Sequence, residues 1–180
     1  MKAGRLWILS GAIGTGKTSL CRNAADMARA KGIDAAGVIS PAAFEAGVKT
    51  GISALDLRTR RSRCLAVLRE NAETDLATGR WSFFKETFDW GNRVLKAATP
   101  CSLLTVDELG PLEFERGQGW KEGLHALDSG DFQAALTVVR PALLTAARIR
   151  WPQARIWQLE AQQDIEKSAE KLLHDMGLTH

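Results

Sequence analysis

The chain has 180 residues, 45% of them hydrophobic, with 24 Lys and Arg against 21 Asp and Glu. That length suffices for one sizeable core and predicts a single domain over residues 1–180, and a net charge of +3 argues against a nucleic-acid or membrane partner. Three widely spaced cysteines, Cys21, Cys64 and Cys101, offer neither a disulfide framework nor a Cys-x-x-Cys metal clip, and point to a reducing cytoplasm.

Met1-Lys2-Ala3-Gly4-Arg5 precedes the apolar run Leu6-Trp7-Ile8-Leu9. The run is too short for the apolar region of a signal peptide, and no stretch approaches the roughly 20 apolar residues of a membrane span. It reads instead as a strand leading into Gly11-Ala12-Ile13-Gly14-Thr15-Gly16-Lys17-Thr18, a complete G-x-x-x-x-G-K-[ST] phosphate loop. Leu20, Ala24, Met27 and Ala28 then recur at helical spacing until Gly32, a stop signal. Glycines let the backbone curl so that several N–H groups point into one concavity, and the helix N-terminus adds its positive end. A nucleoside triphosphate is the expected ligand of residues Gly11 to Ser19. Lys17 is expected on the β- and γ-phosphates, Thr18 on Mg²⁺ and Ser19 beside the α-phosphate.

A second strand over residues 33–40 leads through Pro41 into residues 47–57, where Ile52, Ala54 and Leu57 suggest strand pairing. Arg58-Thr59-Arg60-Arg61-Ser62 reads as a polar hairpin tip before Arg63 to Leu68, so an antiparallel hairpin insertion is predicted after the second strand. Residues 69–80 are polar and unpatterned and predict a mobile surface connection. Alternation then resumes: helices over 86–98, 120–128, 141–150 and a last one ending near 174, with strands at 103–106, 134–139 and 154–157. The implied class is α/β, a mostly parallel sheet flanked by helices, with ligand at the carboxyl ends of the strands.

Leu103-Leu104-Thr105-Val106-Asp107-Glu108 is an apolar strand ending in acids, the Walker B pattern. Asp107 is expected to hold Mg²⁺ through its water shell, complementing Thr18. Glu108 points elsewhere and is expected to polarise the attacking water, with a loop cap or a salt bridge as the alternative.

The run Asp107-Glu108-Leu109-Gly110-Pro111-Leu112-Glu113-Phe114 closely resembles the D-E-[IL]-G-x-[ML]-E-[LF] signature of the THEP1-type nucleoside-triphosphatases, phosphate-loop proteins related to the RecA/AAA-like branch. Gly11 to Leu20, Gly37-Val38-Ile39-Ser40 and Gly47 to Leu57 are similar to that family's loop, second strand and insertion, so the likeness spans about residues 4–158. It implies a P-loop NTPase fold with RecA/AAA-like strand order. The implied activity is Mg²⁺-dependent hydrolysis of ATP, GTP and other nucleoside triphosphates. Lys17 and Thr18 carry over as phosphate and metal contacts, Asp107 as Mg²⁺ organiser and Glu108 as base, while Glu113 belongs to the signature without an evident role. Val48-Lys49-Thr50 stands where the family often has an Arg-containing turn, and the chain after Gln158 matches no part of the signature.

Arg140, following a strand, stands at the catalytic edge as a candidate sensor or arginine finger in cis, with a solvated arginine at a helix start as the alternative. Arg58, Arg60, Arg61 and Arg63 read as a solvated charge run. Trp81, Phe83, Phe84, Phe88 and Trp90 either stack on a base or cover the sheet, the second being the better fit to aromatic burial. Against hydrolysis stands a small-molecule or nucleotide kinase using the same loop, which needs a water-excluding lid and an acceptor pocket.

Overall fold

The computed structural model describes residues 5–71, 74 and 76–179. Met1 to Gly4 of the amino-terminal run, and Ala72, Glu73 and Asp75 of the expected connection, lie outside the described residues. Elements follow in chain order: β1 (Leu6–Ser10), α1 (Lys17–Ala30), β2 (Ala35–Ile39), β3 (Ala42–Glu45), β4 (Val48–Asp56), β5 (Ser62–Leu68), β6 (Leu76–Thr78) and β7 (Trp81–Phe83). Then come α2 (Lys85–Lys96), β8 (Cys101–Leu109), α3 (Pro111–Phe114), α4 (Lys121–Ser129), β9 (Phe132–Val139), a 3-10 turn (Pro141–Leu143), α5 (Leu144–Arg150), β10 (Arg155–Gln158) and α6 (Ile165–Asp175).

One ten-stranded sheet runs β10-β1-β9-β8-β2-β4-β5-β7-β6, with β3 paired to β4. The five strands from β10 to β2 are parallel, and β9 separates the phosphate-loop strand from the acidic strand. The α/β class holds, but the sheet is mixed rather than mostly parallel: the expected hairpin β4–β5 is present, and β3, β6 and β7 extend it antiparallel. The end of the connection expected over residues 69–80 is therefore strand β6 and the turn leading to β7. These two strands are three residues each, too short to show a period of two.

Side-chain alternation divides the core into two layers. Leu6 and Ile8 of β1, Leu104 and Val106 of β8 and Ala135 of β9 face α2 and α4, together with Phe88, Leu95, Leu124 and Leu127. Trp7, Leu9, Leu103, Leu136 and Val138 face the opposite side with Leu20, Ala24 and Ala28 of α1 and Ala169, Leu172 and Leu173 of α6. Parallel strands covered on both faces need near-continuous apolar runs, and all five residues of β1 and of β2 are buried. Gly37 of β2 lies so close to β8 that a Cβ there would stand 1.9 Å from the Thr105 carbonyl oxygen.

The arginine run stays exposed, as expected of a charge run at a hairpin tip, but three of its four members are held by partners. Arg58 donates to both carboxylate oxygens of Asp34 and to the carbonyls of Ala97, Ala98 and Pro100, tying the insertion to the C-terminus of α2. Arg60 pairs with Asp26 at 2.6 Å, and Arg63 lies over Trp90, 5.2 Å from its ring centroid. Phe88 is core, 4.6 Å from Trp120 and 5.6 Å from Phe83, whereas Trp81 and Trp90 are cation platforms. Among the described residues no helix is long and apolar enough to cross a membrane, and all three cysteines are free, Cys64 being exposed.

Candidate active site

The phosphate loop spans the gap between the end of β1 and the start of α1. Gly16 is the residue that turns the chain into the helix, with φ +90°, a left-handed conformation that costs glycine little and other residues more. Thr15 Oγ1 donates to the Ala12 carbonyl at 2.9 Å. Lys17 Nζ donates to the carbonyls of Gly11 and Ala12 at 2.9 and 2.7 Å. Ile13 at the tip is 90% exposed, so the loop is open to solvent along its outer rim. On one flank the loop is backed by the chain after β10: a Cβ at Gly11 would meet the Leu159 carbonyl oxygen at 2.4 Å, and one at Gly16 the Ile165 side chain at 2.9 Å.

At the other flank, β8 delivers its acids. Asp107 is fully buried. Its Oδ2 accepts from the Ser40 backbone N–H at 3.1 Å and its carbonyl accepts from Ser40 Oγ at 2.6 Å. Burial pushes its carboxyl up to about 6, and the Glu108 charge pushes the same way; the Ser40 N–H, the Thr18 hydroxyl and the Lys17 ammonium pull it down. Burial likewise lowers Lys17 from its ordinary value, against the opposing charges of Glu108 and Asp107. Arg140, just past β9, forms an ion pair with Glu108 through Nε and Oε1. Lys17, Thr18, Asp107, Glu108 and Arg140 therefore meet at one carboxyl edge, because β9 brings Arg140 between the loop strand and the acidic strand.

Asp107 Oδ1 is buried with no hydrogen-bond partner among the described residues. A buried carboxylate with one free oxygen and a threonine hydroxyl beside it suits a hard cation that takes few protein oxygens and keeps its waters, so Asp107 and Thr18 fit Mg²⁺. Among the described residues no cluster of three or more His, Cys, Asp or Glu side chains could hold an ion alone.

Glu113 is 6% exposed and bonds backbone on both sides. Its Oε2 accepts from the Gly110 N–H at 2.7 Å and its Oε1 from the Trp120 N–H at 2.8 Å. It thereby closes the loop that follows Glu108 onto the start of α4. Burial raises its carboxyl to about 7 against the pull of those N–H groups. Arg150 pairs with Asp128 at 2.5 Å.

Sequence reasoning noted Lys49 only as standing in place of the family's Arg-containing turn and Trp81 only as base platform or sheet cover, and it did not single out Arg80. Lys49 of β4 feels the charges of Glu108, Arg140 and Asp107. Its Nζ lies 5.0 Å from the Trp81 ring centroid, and the Arg80 guanidinium lies 5.1 Å from the same centroid. The signal available in the sequence was a basic residue in the glycine-centred strand, without the pairing that aims it.

The geometry agrees with comparisons across known proteins. A family model described as NTPase matches residues 7–161. The nucleoside-triphosphatase THEP1 of Thermofilum pendens is 26% identical over 129 residues, 71% of this chain and 70% of that protein. The solution structure of a human cancer-related nucleoside triphosphatase superposes with a TM-score of 0.76 at 17% identity, over 98% of this chain and 100% of that one. THEP1 from the hyperthermophile Aquifex aeolicus gives 0.67 at 16% identity, over 97% and 99%. The chain belongs to the NTPase family.

Proposed function

We propose that this member of the NTPase family hydrolyses nucleoside 5′-triphosphates, ATP and GTP among them, to the diphosphate and phosphate, with Glu108 orienting the attacking water. The observation that carries the reading is the convergence of Lys17 and Thr18 with Asp107, Glu108 and Arg140 at one sheet edge. Phosphoryl transfer asks a protein mainly for positioning and charge stabilisation, and each part has a holder here. Residues Gly11 to Ser19 cradle the phosphates through backbone N–H groups and the α1 N-terminus. The Lys17 ammonium moves from its two loop carbonyls onto the β- and γ-oxygens. Mg²⁺, held by Thr18 and by Asp107 through water, would neutralise charge on those oxygens. Glu108 accepts a hydrogen bond from water and takes its proton as the water oxygen bonds to the γ-phosphorus and the bridging oxygen leaves with the diphosphate. Arg140 fixes the Glu108 carboxylate through its ion pair and places a positive charge beside the transferred γ-phosphoryl group. The whole of residues 1–180 acts as one such domain. Three free cysteines suit a reducing cytoplasm, and the Arg58 and Arg60 ion pairs leave little of that run for nucleic acid.

A phosphate-release assay tests this. Protein with Mg²⁺ and ATP or GTP alone should liberate phosphate. Glu108→Gln should keep nucleotide binding and lose about 10² to 10⁴-fold in kcat, the usual worth of a general base. Phosphate appearing only on an added acceptor makes the protein a kinase, and undiminished turnover by Glu108→Gln removes the assigned role.

A further inference from the structure

The antiparallel extension projects over the catalytic edge. Leu55 of β4 pairs with Ile39, near the carboxyl end of β2, so the earlier part of β4 runs beyond that edge, with β3 on one side and β5 on the other. Register breaks between Ala43 and Phe44 and between Ile52 and Ser53 mark bulges, which bend and twist a strand. Lys49, on the part of β4 beyond the Ile52/Ser53 break, feels the charges of Glu108, Arg140 and Asp107.

Lys49 and Arg80 share the Trp81 ring, and neither has a carboxylate within salt-bridge distance among the described residues. Two like charges packed against one ring repel. Arg80 accordingly lowers the Lys49 ammonium, second to burial. Holding unpaired cations together beside a catalytic edge is favourable once an anion lies between them and the phosphate loop. Which part of the nucleotide meets them follows from the two flanks of the loop. Leu159 and Ile165 back one flank, and Glu108 with Arg140 stands at the other. In the strand order β10-β1-β9-β8-β2-β4 the extension lies on the Glu108 side of the phosphate loop and opposite the Leu159 flank, and Lys49 feels the Glu108 charge, so it belongs to the end at which water attacks.

We propose that Lys49 and Arg80, carried on Trp81 by the antiparallel extension, form a second phosphate-contacting wall that grips the γ-phosphoryl group of the nucleotide held by the phosphate loop. The wall rests on the triphosphatase reading above and adds catalytic contacts that the loop and the acidic strand do not provide. It favours triphosphate over diphosphate and stabilises charge on the transferred group. Trp81 holds both cations in place by cation–π attraction.

The test compares Lys49→Met, Arg80→Met, the double variant and Arg80→Lys with the wild-type protein. Binding of ADP and of a non-hydrolysable ATP analogue is measured by calorimetry, and kcat and KM by phosphate release; circular dichroism and Tm verify folding. Wild-type ADP affinity is expected in all four variants. Each methionine variant should bind the triphosphate analogue about tenfold more weakly, and the double variant should lose about 10²-fold in kcat, near the worth of one electrostatic donor in other sites. Arg80→Lys should recover part of the loss and hold the fold if Arg80→Met does not. An unchanged triphosphate-to-diphosphate ratio with unchanged kcat overturns the wall while leaving the triphosphatase intact, provided Glu108→Gln is inactive. Absence of triphosphate binding by the wild type overturns both.

Discussion

Replacing Glu113 by alanine separates a structural acid from a catalytic one within the same signature. The substitution leaves the N–H groups of Gly110 and Trp120 without their acceptors, and a buried donor left unsatisfied costs about 1–3 kcal/mol. At acid pH the loss is therefore roughly 2–6 kcal/mol for the two. The wild-type carboxyl titrates near 7 in the fold against an ordinary 4.5. For an acid raised in this way the folded state holds the proton more tightly, so the contribution of Glu113 is fully present below 4.5 and is lost as pH rises through 7. At about 1.4 kcal/mol per pH unit, the two and a half units between those values amount to roughly 3 kcal/mol. Urea denaturation of wild type and Glu113→Ala between about pH 5 and 8.5 should show a stability gap that shrinks from pH 5 to about 7 and then levels off. ADP affinity should be unchanged wherever the variant is folded. A gap that stays constant with pH would refute the titration argument, and a folded variant of wild-type stability that has lost turnover would make Glu113 part of the chemistry.

Two further expectations rest on geometry alone. Gly37→Ala should destabilise by more than about 3 kcal/mol, because its Cβ would overlap the Thr105 carbonyl at 1.9 Å with φ at +116° and backbone on both sides cannot yield; a variant with wild-type Tm would contradict the strand spacing. Arg58→Ala should cost about 2 kcal/mol through its carbonyl contacts rather than its exposed ion pair, and Arg58→Lys should not rescue it, since one ammonium cannot span the carbonyls of Ala97, Ala98 and Pro100 that the guanidinium fork reaches. Chemical denaturation reads both variants, and the phosphate-release rate of the folded Arg58 variant should equal that of wild type.

What the sequence disclosed was the part of the site encoded over short stretches. The phosphate loop is eight consecutive residues, and Asp107 and Glu108 end an apolar run, so local pattern and chemistry coincide. Arg140 was readable for the same reason: it directly follows the buried strand β9. Glu113 was visible as a motif letter but not as a staple, because its partners are backbone N–H groups, which carry no residue signature, one of them at Trp120. Arg58 looked like surface charge because its five acceptors lie on Asp34 and on the carbonyls of Ala97, Ala98 and Pro100, none of them near it in sequence. The short strands β3, β6 and β7 were missed because three or four residues hold too few alternations to register.

The junction of the extension with the parallel sheet explains why those missed elements bear on the site. Ser40 ends the β2 segment and bonds Asp107 twice, through its N–H and its hydroxyl. Its neighbour Pro41 accepts from the Ser53 N–H at 2.9 Å, which fixes β4 to the point where β3 departs. The buried carboxylate suited to Mg²⁺ and the strand bearing Lys49 thus share one anchor, two residues long. Any shift of the β3–β4 hairpin must be absorbed within that anchor or passed to Asp107, because Asp107 is fully buried and a packed interior deforms little. The antiparallel extension is in this way tied to the Asp107 corner through Ser40 and Pro41.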